Sequence, residues 1–217
     1  MKKLIVNADD FGATDGINRG VIDAHRAGIL TSASMIVDAP ASAAAASLAT
    51  QSPALGLGLH VVADATAGGA SLRAELDRQF ERFVTLTGRQ PTHVDSHHDV
   101  HRHAAAVAVF RAFAERHALP LRGFCRVRHI ASFYGQWGGE THLEQVRLPV
   151  LAQILAAEVG EGFNELSCHP GYTDPDLRSS YRAERRAELE TLCDPALPRL
   201  IAEHDIGLAT FRGVIEP

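Results

Sequence analysis

The sequence contains little of several residue types, and each shortage excludes a class of protein. Its three cysteines (Cys125, Cys168, Cys193) form no CxxC pair, which favours reduced thiols in a cytoplasmic protein over a disulfide scaffold. Basic residues are not in excess, because 21 Lys and Arg stand against 26 Asp and Glu, so we expect no nucleic-acid partner. No apolar run approaches the roughly 20 residues that span a bilayer, so we expect no membrane span.

Histidine is the residue type that stands out. The chain of 217 residues is long enough for one domain, which we expect to cover residues 1–217, and its 46% hydrophobic content is ordinary for a globular protein. Of its 12 histidines, five lie between His93 and His103. Random scatter would not concentrate them in this way, so the cluster indicates a site with a chemical role.

A short apolar run near the N-terminus ends in two adjacent acids. Leu4, Ile5 and Val6 follow one another, as in a strand that is buried on both faces of a parallel sheet. Asp9 and Asp10 then fall at its C-terminal end, where α/β sheets and barrels place their active sites.

Strand and helix patterns alternate along the whole chain, without a linker or an internal repeat. Right-handed βα crossovers then predict an α/β fold, a distorted or incomplete (β/α) TIM-like barrel with about seven parallel strands. The helices are predicted at 15–27, 41–49, 71–87, 104–117, 148–159, 181–192 and 194–203. The strands are predicted at 4–9, 34–37, 55–62, 93–98, 119–122, 164–171 and 207–211, with residues 123–147 left as a long loop.

Three of these strand ends carry groups that bind metals. Asp9 or Asp10, His60 and His97 supply one carboxylate and two imidazoles, the open ligand set of a catalytic metal. The second acid is a candidate general base, which requires the strand to end or bend at Asp10, because neighbouring residues of a strand face opposite ways. His97 and His101 have the i, i+4 spacing of a helical metal pair, so a different pairing within the cluster stays open.

Other candidates are less specific. His169 ends the sixth predicted strand, where it could protonate a leaving amine, and Arg122 ends the fifth, where it could hold the base ionised. Three aromatic residues could stack on a sugar ring, although loop aromatics often only anchor a loop; they are Tyr134, Trp137 and Tyr172.

Four segments, in chain order, resemble the YdjC-like carbohydrate deacetylases, whose best-known type is the chitooligosaccharide deacetylase. They are Ile5-Val6-Asn7-Ala8-Asp9-Asp10-Phe11-Gly12, Gly58-Leu59-His60, Asp95-Ser96-His97-His98 with Val100-His101, and Cys168-His169-Pro170-Gly171-Tyr172. The resemblance implies a distorted (β/α) barrel that removes acetyl groups from N-acetylated sugars with a divalent metal.

The resemblance also implies roles for individual residues. The metal ligands would be Asp10, His60 and His97. Asp9 matches the general base. His169 lies in the motif that is expected to supply the acid, and Arg122 matches the arginine that holds the base in position. Two departures stand out: this chain has Asp99 where the family commonly has a third consecutive histidine, and its loop after His60 is short, which should open the cleft.

We therefore expect a metal-dependent hydrolase that removes acetyl groups from an N-acetylated sugar or short oligosaccharide and releases acetate. The cofactor would be one divalent ion, zinc or magnesium, with cobalt or manganese also compatible. A metal-dependent phosphoesterase with two metals and a non-catalytic sugar-binding protein are the alternatives. The partner would be a small carbohydrate, and a homodimer could cover the open sheet edge.

Overall fold

Parallel strands form the centre of the molecule in the computed structural model, which describes residues 1–214. The strands are β1 (Lys2–Phe11), β2 (Ser32–Met35), β3 (Gly56–Val61), β4 (Val94–Ser96), β5 (Arg128–Ile130), β6 (Gln136–Trp137), β7 (Glu140–Thr141), β8 (Gly162–Cys168) and β9 (Ile206–Leu208). Seven of them make one sheet in the order β4-β3-β2-β1-β8-β5, with β9 on the start of β1, and every pairing in it is parallel. The antiparallel hairpin β6–β7 stands apart.

The sheet curls into a half-barrel and does not close. Over the described residues β4 and β5 are its two end strands, so the prediction of an incomplete (β/α) barrel with seven parallel strands is confirmed. Seven helices connect the strands: α1 (Asp15–Ala27), α2 (Ser42–Thr50), α3 (Gly69–Thr87), α4 (Val107–Arg116), α5 (Leu148–Ala157), α6 (Ala183–Leu192) and α7 (Leu197–Glu203). Within residues 1–214, none of them is long and apolar enough to cross a membrane.

The central strand is covered on both faces. Leu4, Ile5 and Val6 are each fully buried, although alternate residues of a strand point in opposite directions. The helix that follows has the ends that the sequence predicts, because Thr14 caps it by accepting a hydrogen bond from the amide of Ile17, and Gly28 ends it. The polar ends of the strands therefore lie at one rim of a rigid, fully packed layer.

Two of the predicted strands are wrong in position. The predicted strand 119–122 forms only an isolated bridge between Leu121 and Val94, and the fifth strand is instead β5, inside the segment predicted to be a loop. β4 ends at Ser96, and residues 97–102 continue as a kinked 3₁₀ segment, so His97, His98 and His101 lie beyond the strand and His93 lies before it. Both errors concern segments of three or four residues, which are too short for periodicity to define.

Glycine at position 20 lets α1 approach the site-bearing end of the sheet closely. A Cβ atom at Gly20 would lie 2.5 Å from the Cα atom of Gly171, in the loop after β8. Both partners in this contact are backbone, so neither can move aside cheaply. The packing of α1 against this loop therefore needs glycine at position 20.

We expect Gly20→Ala to lower the free energy of unfolding by about 2 kcal/mol, because overpacking outweighs the gain of about 0.5–1 kcal/mol in helix propensity. Gly69→Ala is the matched control, since its Cβ would meet only Val109, at 3.7 Å. Urea unfolding of both variants provides the measurement. Equal stability of the two variants would contradict the packing argument.

Candidate metal centre and catalytic cleft

The two adjacent acids at the end of β1 face different partners, because the backbone bends between them. Asp10 has a φ of +66°, and the pairing of β1 with β2 shifts register between Ala8 and Phe11. A non-glycine residue in this left-handed region is uncommon and is typical of a functional constraint. The bend that the sequence analysis required at Asp10 is therefore present, and it separates Asp9 from Asp10.

Asp10 converges with two histidines, one from β3 and one from the segment directly after β4. Its Oδ1 atom lies 3.1 Å from Nδ1 of His97 and 3.5 Å from Nε2 of His60, and donor atoms of all three residues lie within 4.8 Å of one another. Its other oxygen accepts a hydrogen bond of 2.6 Å from Arg185. One carboxylate oxygen therefore faces the histidines and the other is held by the arginine.

The chemistry of this donor set fits a divalent cation. Burial alone would raise the pKa of Asp10, but hydrogen bonds to His60 and His97 and the charge of Arg185 hold it well below its usual value. An ionised carboxylate with two imidazoles is the ligand set of many catalytic metal sites. The structure thus brings together the three predicted metal ligands.

His60 is oriented from behind by Asp95. The two residues are direct cross-strand neighbours on β3 and β4, and Nδ1 of His60 lies 2.7 Å from a carboxylate oxygen of Asp95. Burial would lower the pKa of His60, but the Asp95 charge and the hydrogen bonds that the ring donates to Asp10 and Asp95 raise it to about 10. This carboxylate fixes the ring so that Nε2 faces Asp10, as second partners of metal-binding histidines commonly do.

Arg122 joins three buried acids. Its guanidinium makes two hydrogen bonds of 2.7 Å to Asp9 and one of 2.8 Å to Glu165, and it lies 2.8 Å from Asp95. Burial opposes the charges of Asp9 and Asp95 in setting its pKa, and the charges prevail, raising it well above the usual value. Burial raises the pKa of Glu165 to about 7 against the opposing charge of Arg122.

His169 stands on the other side of Asp9. Its Nε2 atom lies 4.0 Å from Oδ2 of Asp9, and its backbone amide donates a hydrogen bond to the buried Glu188. Burial is the main reason that the pKa of His169 falls to about 4, so the resting imidazole is neutral. Tyr134 and Tyr181 place their ring edges beside it, with centroids at 5.7 and 5.4 Å.

A cavity of about 470 Å³ is lined by the three predicted metal ligands together with Asp9, Arg122, His169 and Arg185. Tyr134 forms part of its wall, stacked in parallel on Tyr181. Trp137 does not line it: the indole lies in the hairpin β6–β7, stacked on His142. Tyr172 does not line it either, because its hydroxyl donates to Asp23 at a separate surface. Of the three predicted aromatic contacts, the structure thus brings only Tyr134 to the cavity.

The alternative pairing of His97 with His101 does not form. The His101 ring is fully buried, with Nδ1 2.7 Å from the hydroxyl of Ser96, and it packs edge-on against Phe110. His98 lines the cavity, whereas His103 is exposed. The histidine cluster therefore serves both the site and the core.

Several polar residues of the site had no role assigned from the sequence; they are Asp95, Glu165, Arg185 and Glu188. A signal for two of them exists, because Arg185 and Glu188 share the helical stripe of Leu189 and Leu192 in α6. Charged residues on an apolar stripe are rarely buried unless they are paired. No comparable pattern singles out Asp95 or Glu165, whose neighbours come from other strands.

The sequence matches a known protein family. Residues 3–68 and 62–203 match the family described as YdjC-like protein, and the two matches meet in the loop after β3. A chitooligosaccharide deacetylase of Serratia marcescens is 37% identical over 251 aligned positions, covering 97% of this chain and 98% of its own. A carbohydrate deacetylase of Geobacillus stearothermophilus is 34% identical, with 96% of each chain covered.

Solved structures share the fold. A protein of Enterococcus faecalis, provisionally named for cellobiose-phosphate cleavage, is 27% identical with a TM-score of 0.83 and covers 99% of both chains. A family 4 carbohydrate esterase of Streptomyces lividans, solved with acetate, is only 14% identical, yet reaches a TM-score of 0.59 over 100% of this chain and 98% of its own. The family match over most of the chain and the relatives above 30% identity establish that this protein belongs to the YdjC-like family.

Proposed function

We propose that this protein is a metal-dependent deacetylase that removes an acetyl group from an N-acetylated sugar or short oligosaccharide and releases acetate. The observation that carries the proposal is a second acid, Asp9, beside a complete ligand set, held by Arg122 and facing His169 at 4.0 Å. A site that only bound a cation would not need this acid. The names of the relatives, chitooligosaccharide and carbohydrate deacetylase, support the same chemistry.

Asp10, His60 and His97 would hold the divalent ion, which when bound would polarise the acetamide carbonyl and lower the pKa of water. Zinc suits two imidazoles and a carboxylate; magnesium, cobalt and manganese stay in the proposal. An acetyl xylan esterase of Clostridium thermocellum, which shares the fold at 14% identity, was solved with a cobalt ion.

The residues of the chain would move the protons. Asp9 accepts a proton from the attacking water, and the two hydrogen bonds from Arg122 hold its carboxylate in position. As the water oxygen bonds to the acetyl carbon and the carbon–nitrogen bond breaks, His169 protonates the departing nitrogen. Since the resting His169 is neutral, we propose that it passes on the proton that Asp9 removed, and that a water molecule bridges the two side chains, because 4.0 Å is too long for a direct transfer.

The alternatives fit the contacts less well. A phosphoesterase with two metals would need a second ligand set, and the described residues do offer Asp9, His60 and Asp95. The guanidinium of Arg122 already lies within 2.8 Å of both of these acids, so a positive charge already occupies the position. A non-catalytic sugar-binding protein would leave Asp9 and His169 without a task.

Other expectations remain predictions. The substrate-binding part of the proposal now rests on Tyr134, because Trp137 and Tyr172 lie outside the cavity. The single domain, the cytoplasmic location and the homodimer are also predictions that the sequence alone supports.

The purified protein should release acetate from a panel of N-acetylglucosamine and its oligomers, and a chelator should abolish the release. Adding back zinc, magnesium, cobalt or manganese one at a time would identify the ion. Acetate production that continues in the presence of chelator would contradict the mechanism. Phosphate release from an aryl phosphate ester, without acetate from any sugar, would favour the phosphoesterase.

Replacing Asp9 by Asn should lower kcat by about 10²- to 10⁴-fold, the usual contribution of a general base. Metal affinity should be unchanged, because Asp9 is not among the proposed ligands, and Arg122 keeps its other two acids. Calorimetric titration of zinc into the chelator-stripped protein would check this second expectation. Asp10→Asn is the matched control and should lose the metal; an active Asp9→Asn variant would refute the assignment.

Replacing Asp95 by Asn should weaken metal binding by about 10- to 100-fold, because His60 loses the carboxylate that orients it. Glu165→Gln is the matched control, since Glu165 contacts Arg122 but has no hydrogen bond to His60. The zinc dissociation constants of both variants provide the comparison. If the two variants bind zinc equally well, Asp95 does not position His60.

A further inference from the structure

Two consecutive residues beside the metal ligands have an unusual backbone conformation. His98 and Asp99 have φ values of +54° and +53°, directly after the proposed ligand His97. Residues other than glycine adopt this left-handed conformation only at an energetic cost, and two in succession are rare. Because such strain persists only where the surrounding structure enforces it, it points to a function for this turn.

The strained residues concentrate at the cavity. In residues 1–214, five residues other than glycine have positive φ: Asp10, His98, Asp99, Ala118 and Asp205. The first three line the cavity, and the last two do not. The turn holds Asp99 in the cavity wall with a side chain that is 48% exposed.

Asp99 carries the one carboxylate of the described cavity wall that is free to accept hydrogen bonds. The other two acids are engaged, since Arg122 holds Asp9 and Arg185 holds Asp10. The nearest basic neighbours of Asp99 are the buried His101, with Nε2 at 3.8 Å, and Arg102, whose Nε forms an ion pair with it at 3.6 Å. Both distances are too long for a hydrogen bond.

We propose that Asp99 is a specificity-determining residue whose carboxylate accepts hydrogen bonds from hydroxyl groups of the sugar ring. This inference rests on the proposed function, because it assumes that the acetylated substrate occupies the cavity. A carboxylate that accepts a hydrogen bond from a hydroxyl favours the substrate that carries this hydroxyl, because hydrogen bonds to a charged group are stronger than those between neutral groups. The strained turn places this acceptor next to the metal ligands.

The first test is Asp99→Asn, which keeps the size of the side chain and tolerates the left-handed backbone. We expect its KM for the acetylated sugar to rise about 10-fold with kcat unchanged, because a hydrogen bond to a charged carboxylate becomes a weaker one to a neutral amide oxygen. On deoxy analogues that lack the contacted hydroxyl, variant and wild type should have the same KM. Equal KM values of variant and wild type on the fully hydroxylated sugar would overturn the proposal.

The second test separates binding from backbone strain. Asp99→Gly should raise Tm by relieving the left-handed strain, and it should also raise KM. Asp205→Gly is the matched control, because Asp205 has a φ of +54° but is exposed and outside the cavity. It should raise Tm and leave KM unchanged. A higher Tm without a change in KM in Asp99→Gly would show a purely structural turn and refute the proposal.

The role of Asp99 can be tested even if the proposed function is wrong. If the wild-type protein released no acetate from any sugar, the deacetylase proposal would fail. Calorimetric titration of the amino-sugar product, glucosamine, into wild type and Asp99→Asn would still test the contact without turnover. Tighter binding by the wild type would support the role of Asp99, and equal binding would overturn it.

Discussion

The site depends on one buried cation. The guanidinium of Arg122, only 2% exposed, contacts Asp9, Asp95 and Glu165. Asp9 and Asp95 could not remain charged in this interior without it, because a buried charge without a partner is costly. It holds Asp9 beside the three proposed metal ligands and occupies the position where a second ion would bind. Through Asp95 it also stabilises the orientation of His60, so the proposed general base and the proposed metal site share a single support.

A second constraint is the bend of the backbone at Asp10. Adjacent residues of a regular strand would send Asp9 and Asp10 to opposite faces, one of which is covered by packed helices. The left-handed conformation of Asp10 lets both acids reach the cavity while each pairs with its own arginine. The two carboxylates thereby differ in their surroundings although they are neighbours in the chain. These different surroundings are consistent with the proposed division of roles, in which Asp10 holds the metal and Asp9 accepts a proton.

Residues far along the chain complete the site. Arg185 and Glu188 in α6 contact Asp10 and His169, and α6 is positioned partly by its packing against α1. The loop that carries His169 lies directly against the same helix α1, where Gly20 permits backbone contact with Gly171. The geometry of His169 and of the proposed metal ligands therefore depends on helix packing as well as on the sheet. The left-handed residues of the cavity also cost free energy, and the packing of the half-barrel offsets it.

The sequence alone determined the fold class, the polar strand ends and the metal-ligand candidates, because these depend on local patterns. An apolar run followed by acids marks a buried strand and its active end, and parallel strands bring such ends to one rim. Tertiary structure alone decided the pairing of Arg122 with three acids, the burial of His101, the distance of Tyr172 from the cavity and the position of β5. These features join residues from separate elements, or concern strands of three residues, and local periodicity contains no information about either.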